Sequence, residues 1–192
     1  MMQSLQAKFK FELTKEELES YVTKEEDKVI AKLLEKAKPC VGATEQVEKL
    51  FNEKKYDLAV VSSSALRRVR ASIQKVGQDK FFAYDRVFSA ATSLPKPTSK
   101  PDPAIYLHAL EKCGKTPEET VTVEDSISGA LSAIRAKIAV IGYVGSYTTQ
   151  EKQEEMTKRL TDLGAQVVMR DWSEFPECLK KIEGEDASAA SL

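Results

Sequence analysis

Three short polar runs carry the chemistry this sequence could perform. Ser62-Ser63-Ser64 closes an apolar run, Asp57-Leu58-Ala59-Val60-Val61, and precedes residues at helical spacing. Small hydroxyl residues at a strand-to-helix turn offer side-chain and backbone donors to an anion such as phosphate, although serine there is equally an ordinary helix cap. Glu124-Asp125-Ser126 follows Val121-Thr122-Val123 in the same way, with Gly129 one turn further on. Two adjacent carboxylates suit a hard divalent cation such as Mg²⁺, which takes oxygen ligands and keeps several waters; Asp125 or Ser126 would also cap the next helix. Lys100 lies in the Pro-rich stretch 94–103, just before a helix. A lysine held there can neutralise charge on a phosphoryl group or hold a carboxylate in place, whereas most loop lysines are merely solvated.

Other reactive residues are few. The single histidine, His108, excludes zinc sites of the two-histidine type and leaves one candidate for a His-dependent triad. Two turns after Pro103, it reads as a partly buried packing residue. Cys40, Cys113 and Cys178 are widely spaced and odd in number, so they form neither a C-x-x-C motif nor a disulfide framework and read as buried thiols of a cytosolic protein. Arg67, Arg68 and Arg70 could meet a phosphate or nucleic acid. Arg67 and Arg70 are spaced to share a helix face, and without a wider basic excess that face reads as solvated. Gly142-Tyr143-Val144-Gly145 lacks the third glycine and the later acidic residue of a dinucleotide fingerprint.

The elements that must position these runs alternate along the chain. Residues 14–38 are rich in Glu and Lys, with apolar residues at helical spacing, and predict one or two amphipathic helices opened by the capping box Thr14-Lys15-Glu16-Glu17. Lys38-Pro39-Cys40-Val41-Gly42 breaks the pattern. Thereafter helices are expected at 43–54, 65–76, 103–113, 126–136, 149–163 and 173–182, and strands at 57–61, 87–89, 121–123, 138–141 and 167–169. Short apolar strands alternating with helices imply βαβ units and a parallel sheet covered on both faces. Trp172 and Phe175 are placed to staple the last helix to the sheet. The small polar residues 184–192 read as a frayed tail.

Composition narrows the partners. The chain has 192 residues, 42% of them hydrophobic, enough for one domain or one with a small appendage. Its 29 basic and 30 acidic residues leave no excess to replace phosphate counterions, which excludes a general electrostatic nucleic-acid binder. No apolar run approaches the ~18 residues of a membrane span, and the N-terminal stretch lacks the apolar region of a signal peptide. A cytoplasmic protein acting on a small molecule, with no nucleic-acid or membrane partner, is expected.

In order and context, Val60-Val61-Ser62, Ser99-Lys100-Pro101-Asp102-Pro103 and Val123-Glu124-Asp125-Ser126 resemble the second, third and fourth motifs of the haloacid dehalogenase-like hydrolases, in the branch containing β-phosphoglucomutase and small-molecule phosphatases. The resemblance covers about 39–144. It implies a three-layer, Rossmann-like α/β core over 39–184 and a partial helical cap over 1–38; the composition of 185–192 adds a disordered tail. It further implies that Ser62, with Ser63 beside it, hydrogen-bonds the phosphoryl group of a small phosphorylated metabolite. Lys100 would orient a nucleophilic carboxylate, and Asp125 with Glu124 would hold Mg²⁺, so that Ser62, Lys100 and Asp125 form the catalytic set. One departure lies at 133–137, Ala-Ile-Arg-Ala-Lys, where the family usually turns on Ala-Gly before the next strand.

A larger departure concerns the nucleophile. The family carries it in D-x-D-x-T/V on the first strand, where the first Asp attacks phosphorus and the second acts as general acid and base. No D-x-D precedes Ser62: the aspartates there are Asp27, in a Glu/Lys-rich helical segment, and Asp57, at a strand entrance. Lys8-Phe9-Lys10-Phe11-Glu12-Leu13 alternates like a strand but no acidic pair follows it. In the family the first strand lies between those carrying the serine and the Glu-Asp motifs. Its absence would leave a gap of ~10 Å or force new pairing. The expectation is a hydrolase of this family with little or no turnover as the chain stands. The alternatives are an inactive relative that acts by binding, or an unrelated doubly wound binding domain in which the serines and carboxylates only cap helices.

Overall fold

The computed structural model describes residues 14–189. The alternating segment 8–13 lies outside them. Helix α1 (Lys15–Lys36) is a single continuous helix, and its capping box forms: Glu17 N donates to Thr14 Oγ1 at 3.2 Å and Thr14 N to Glu17 Oε2 at 2.9 Å. No residue of α1 is buried. Gly42 then opens α2 (Ala43–Glu53) with φ 79°, and a Cβ there would stand 3.0 Å from the Cβ of Trp172. Both the left-handed backbone and this close approach require glycine.

The rest alternates as the apolar pattern requires: β1 (Val60–Ser62), α3 (Leu66–Lys75), β2 (Val87–Ser89), α4 (Ala104–Cys113), β3 (Val121–Glu124), α5 (Ile127–Arg135), β4 (Ala139–Tyr143), α6 (Gln150–Leu163), β5 (Val167–Met169) and α7 (Phe175–Ala189). Three 3₁₀ turns, Asp79–Phe81, Tyr84–Arg86 and Trp172–Glu174, fill connections that sequence periodicity left irregular. At the other end α7 runs on to Ala189, past Gly184, where an irregular tail was expected. Glu183 helps hold this helix, accepting hydrogen bonds from Lys55 Nζ and Tyr56 Oη at 2.9 and 2.6 Å.

Every strand pair is parallel. β4 has helices on both faces. Val140 and Val144 pack with α4, α5 and α6, while Ile141 and Tyr143 pack with Met169 and the α7 residues Phe175, Leu179 and Ile182. This alternation is the period-2 signature of a strand buried on both sides. Trp172 lies 5.5 Å from the Tyr143 ring and 5.6 Å from Phe175, centroid to centroid, forming the expected staple.

The sheet is split. β1 pairs with β2, with Val60 opposite Val87 and Ser62 opposite Ser89. The other three strands run in the order β3-β4-β5. Among the described residues β1 and β3 do not pair with each other. They flank instead a cavity of about 460 Å³, lined among others by Val60, Val61, Val121 and Val123.

Two expectations fail in detail. Cys40 is exposed and Cys113 only half-buried, leaving Cys178 as the buried thiol; Cys40 falls in the link between α1 and α2. The arginines of α3 are only partly solvated, and all three find partners. Arg67 bonds Glu26 and Asp27 at 2.8 and 3.0 Å, Arg68 bonds Glu25 at 2.7 Å, and Arg70 stacks on Tyr84 with its guanidinium carbon 3.4 Å from the ring centroid. The acidic partners sit on α1, 41 to 43 residues away in sequence for Arg67–Glu26 and Arg68–Glu25, so no local pattern announced them.

Candidate active site

The polar runs meet where the C-terminal ends of β1 and β3 face one another, the location where open parallel sheets bind ligands. Lys100 joins them. Its Nζ donates to the Val61 carbonyl on β1 at 3.0 Å, to Tyr106 Oη at 3.3 Å, and to Glu124 on β3 in a close ion pair. Its backbone N–H donates to Ser63 Oγ at 3.2 Å. Both side chains of the ion pair are buried, Lys100 at 8% and Glu124 at 9% exposure, so each charge relies on the other for compensation.

The loop bearing Lys100 is tied down on every side. Thr98 N donates to the Ala90 carbonyl at 2.9 Å and Ser132 Oγ to the Asp102 carbonyl at 2.7 Å. Asp102 accepts from Ala104 N at 2.9 Å and Thr98 Oγ1 at 3.0 Å, and these donors hold its carboxyl below the usual range. A lysine in such a loop is positioned, not merely solvated.

Glu124 is held from three directions. Besides Lys100, the Tyr106 hydroxyl donates to it in a close hydrogen bond. A Cβ added at Gly129 would fall 1.8 Å from Glu124 Oε2, so the first turn of α5 has room for the carboxylate only because residue 129 is glycine. Tyr106 also meets Thr122 Oγ1 at 3.0 Å. Burial, followed by the Glu124 charge and hydrogen bond, pushes its phenol far above the ordinary tyrosine range. The sequence reading missed Tyr106. Its signal was a phenol in the first turn of α4, six residues after Lys100, beside the fully buried Ile105.

Ser62 Oγ accepts from Ser64 N at 3.1 Å, leaving the hydroxyl hydrogen free of a bond to another described group. Ser126 takes the capping role, accepting from Gly129 N at 3.0 Å. Asp125 is exposed. Its backbone carbonyl accepts from Tyr147 Oη at 2.9 Å and its carboxylate lies 3.5 Å from Ser146 Oγ. His108 packs edge-on to Phe88, with centroids 5.8 Å apart, and is outside the site.

No cluster of three or more His, Cys, Asp or Glu able to hold a metal occurs among the described residues. The open carboxylate of Asp125 offers hard oxygen donors that fit a Mg²⁺ keeping its remaining waters, whereas Glu124 is engaged by Lys100 and Tyr106.

A parallel sheet covered by helices, with a lysine, hydroxyls and carboxylates at its carboxyl edge, is a Rossmann-like α/β core. More particularly, the chain belongs to the haloacid dehalogenase-like hydrolases, whose sequence model matches residues 1–143. A phosphorylated carbohydrates phosphatase of Thermotoga maritima is 33% identical over 127 residues, 65% of this chain and 55% of that protein. A phosphoglycolate phosphatase of Psychrobacter arcticus is 32% identical over 117 residues, 58% of this chain and 47% of that one. The chain thus spans about half the length of these curated relatives. Among solved structures, a haloacid dehalogenase-like protein of unknown function from Agrobacterium tumefaciens superposes with TM-score 0.69 at 26% identity, covering 95% of this chain and 76% of that one. A putative β-phosphoglucomutase from Thermotoga maritima gives 0.64 at 27% identity, covering 92% and 74%. Among the described residues no helix is long and apolar enough to cross a membrane.

Proposed function

We propose that this chain carries the phosphoryl-binding and metal-binding part of a Mg²⁺-dependent phosphatase for small phosphorylated metabolites, and that alone it turns over little or no substrate. The observation that carries this reading is the bridge made by Lys100, from the strand ending at Ser62 to the carboxylate preceding Asp125. Phosphatase relatives point to phosphorylated carbohydrates or phosphoglycolate as the class of substrate. In this reading Ser62 and Ser63 hydrogen-bond the phosphoryl oxygens. Asp125, assisted by Glu124, holds Mg²⁺, which supplies charge neutralisation at those oxygens when bound. Lys100 faces the position of an attacking carboxylate. In that role it would exchange part of its pairing with Glu124 for the incoming charge, releasing Glu124 towards the cation.

Low turnover follows from the nucleophile. Among the described residues Glu124 is the carboxylate paired with Lys100, and it is buried against Gly129. No aspartate of a D-x-D precedes Ser62. The test is p-nitrophenyl phosphate hydrolysis with Mg²⁺, where rates at the buffer background are expected. Robust turnover abolished by Asp125→Ala would show that a nucleophile is present. Site integrity is read separately by phosphorus NMR. Orthophosphate should broaden only with Mg²⁺, and Ser62→Ala and Asp125→Asn should each abolish the effect; binding indifferent to both changes would remove the proposed site.

A further inference from the structure

Three carbonyl oxygens of the strand-to-helix turn that carries the serines are each held by a donor from another segment. The Val61 carbonyl accepts from Lys100 Nζ at 3.0 Å, the Ser62 carbonyl from Ala90 N at 2.8 Å and the Ser64 carbonyl from Ser89 Oγ at 2.7 Å. Ser89 ends β2, opposite Ser62 in the ladder, and is fully buried. Its hydroxyl also accepts from Thr92 N at 3.1 Å and from Thr92 Oγ1 at 2.9 Å, and Thr92 Oγ1 accepts in turn from Leu66 N at 3.1 Å.

The direction of every proton in this chain of hydrogen bonds follows from its ends. The Leu66 amide can only donate and the Ser64 carbonyl can only accept, so the Thr92 hydroxyl donates to Ser89 and the Ser89 hydroxyl to Ser64. The chain closes a ring on the turn 64–66. It also supplies a cap: α3 begins after Ala65, whose methyl group cannot accept a hydrogen bond, and Thr92, 26 residues away, takes the amide of Leu66. The serines are thereby relieved of capping α3. Ser62 Oγ and Ser63 Oγ each accept one amide hydrogen, from Ser64 and from Lys100, and neither hydroxyl hydrogen is bonded to another described group.

We propose that Ser89 and Thr92 are positioning residues for phosphoryl binding: their hydroxyl ring fixes the turn so that Ser62 and Ser63 keep their hydroxyl hydrogens for the oxygens of an anionic ligand. This role rests on the phosphatase reading, in which those two serines meet the phosphoryl group. Both residues act through the turn and not on the ligand. A carbonyl dipole turned towards an anion would oppose its binding, and the ring commits the Ser64 carbonyl to Ser89. Ser89 has no spare capacity, since its proton and both lone pairs are used, and a buried hydroxyl so satisfied holds its partners in one arrangement.

The test uses the full chain and orthophosphate with Mg²⁺, followed by phosphorus NMR. Thr92 is exposed, so Thr92→Val removes its hydroxyl without disturbing the core. Orthophosphate should then bind roughly three- to tenfold more weakly, as for one lost hydrogen bond. Thr92→Ser, which keeps the hydroxyl, should retain the affinity of the unsubstituted protein. Ser89→Ala should weaken binding as much as Thr92→Val, and the two together should add little, because either change opens the same ring. Mn²⁺ binding without phosphate, read by water proton relaxation, should be equal in all these variants, because Asp125 follows β3 in the other part of the sheet. Unchanged phosphate affinity in Thr92→Val and Ser89→Ala, with Ser62→Ala still abolishing binding, would overturn the positioning role and leave the phosphatase reading standing. An equal loss in Thr92→Ser, or a parallel loss of Mn²⁺ affinity, would overturn it by reducing the ring to a structural staple. Phosphate binding that is absent, or indifferent to both Ser62→Ala and Asp125→Asn, would overturn the two together.

Discussion

The two-stranded and three-stranded parts of this sheet are built from similar apolar runs and end up with different support. β4 is paired on both edges and buried on both faces. β1 has, among the described residues, one paired edge, only intermediate burial, and a three-residue ladder. The halves are connected by α4, whose Ile105, Tyr106, Ala109 and Leu110 pack with Phe88 and Ala90 of one half and with Ala130 and Val140 of the other. The Lys100 bridge adds a polar connection. A parallel sheet can therefore keep its layers in register through one helix layer and a buried ion pair even where its ladder is interrupted.

The sharpest way to break the comparison is to remove the bridge. Lys100→Met leaves Glu124 buried and unpaired, which typically costs about 3–5 kcal/mol. Urea unfolding should show a lower midpoint by that amount, and Glu124→Gln added to Lys100→Met should recover much of it. Additive losses would mean that the pair does not hold the halves together.

Alkaline pH addresses the same joint. The Tyr106 phenol is raised by burial above its unfolded value of about 10. Its contribution is fully present below pH 10 and is lost as pH rises towards the folded value, at about 1.4 kcal/mol per pH unit. Stability measured between pH 9 and 11 should bend downward, and Tyr106→Phe should flatten that bend. An identical curve for the variant would show that the phenol is not buried in the folded protein.

On the outer side of the two-stranded half, α1 forms ion pairs with Arg67 and Arg68 and has no buried residue of its own. Exposed pairs contribute about 0.2–1 kcal/mol each. The double change Arg67→Ala with Arg68→Ala should speed hydrogen exchange in α1 by up to about tenfold, as should 1 M salt, while the global midpoint moves little. If exchange throughout β3–β5 rises equally, α1 belongs to the common core.

The smallest effect lies within the three-stranded half. Lys137 adopts φ 63°, a left-handed conformation that costs a side chain about 1–2 kcal/mol and glycine little. Lys137→Gly should stabilise by about 0.5–1 kcal/mol, net of glycine's greater unfolded-state entropy, and should leave exchange at β1 unchanged. The departure from an Ala-Gly turn seen in the sequence is thus a point of backbone strain.

Much of the fold was legible because its signals are local. The capping box at Thr14 and Glu17, the apolar runs ending in Ser62 and Glu124, and the helical spacing between them depend only on neighbours in sequence. Ser62, Ser63, Lys100, Glu124 and Asp125 could be singled out because strand ends and helix starts are where such residues do chemistry. Tyr106 was not singled out, since a phenol in an apolar helix face looks like core until Glu124 is placed beside it. The partners of the α3 arginines were not legible for the same reason: Glu25, Glu26 and Asp27 are distant in sequence and near only after α1 has folded across α3.

The sequence alone determined the order of strands and helices and the residue types that gather at the carboxyl edge, because periodicity and capping act within a few residues. It also showed that no D-x-D precedes Ser62. Tertiary structure decided that β1 and β3 stay apart around a cavity, that Lys100 spans them, and that Glu124 turns inward to the lysine while Asp125 stays open. These outcomes depend on which backbone edges find partners and which charges are buried together, and both are settled only when segments far apart in the chain are packed against one another.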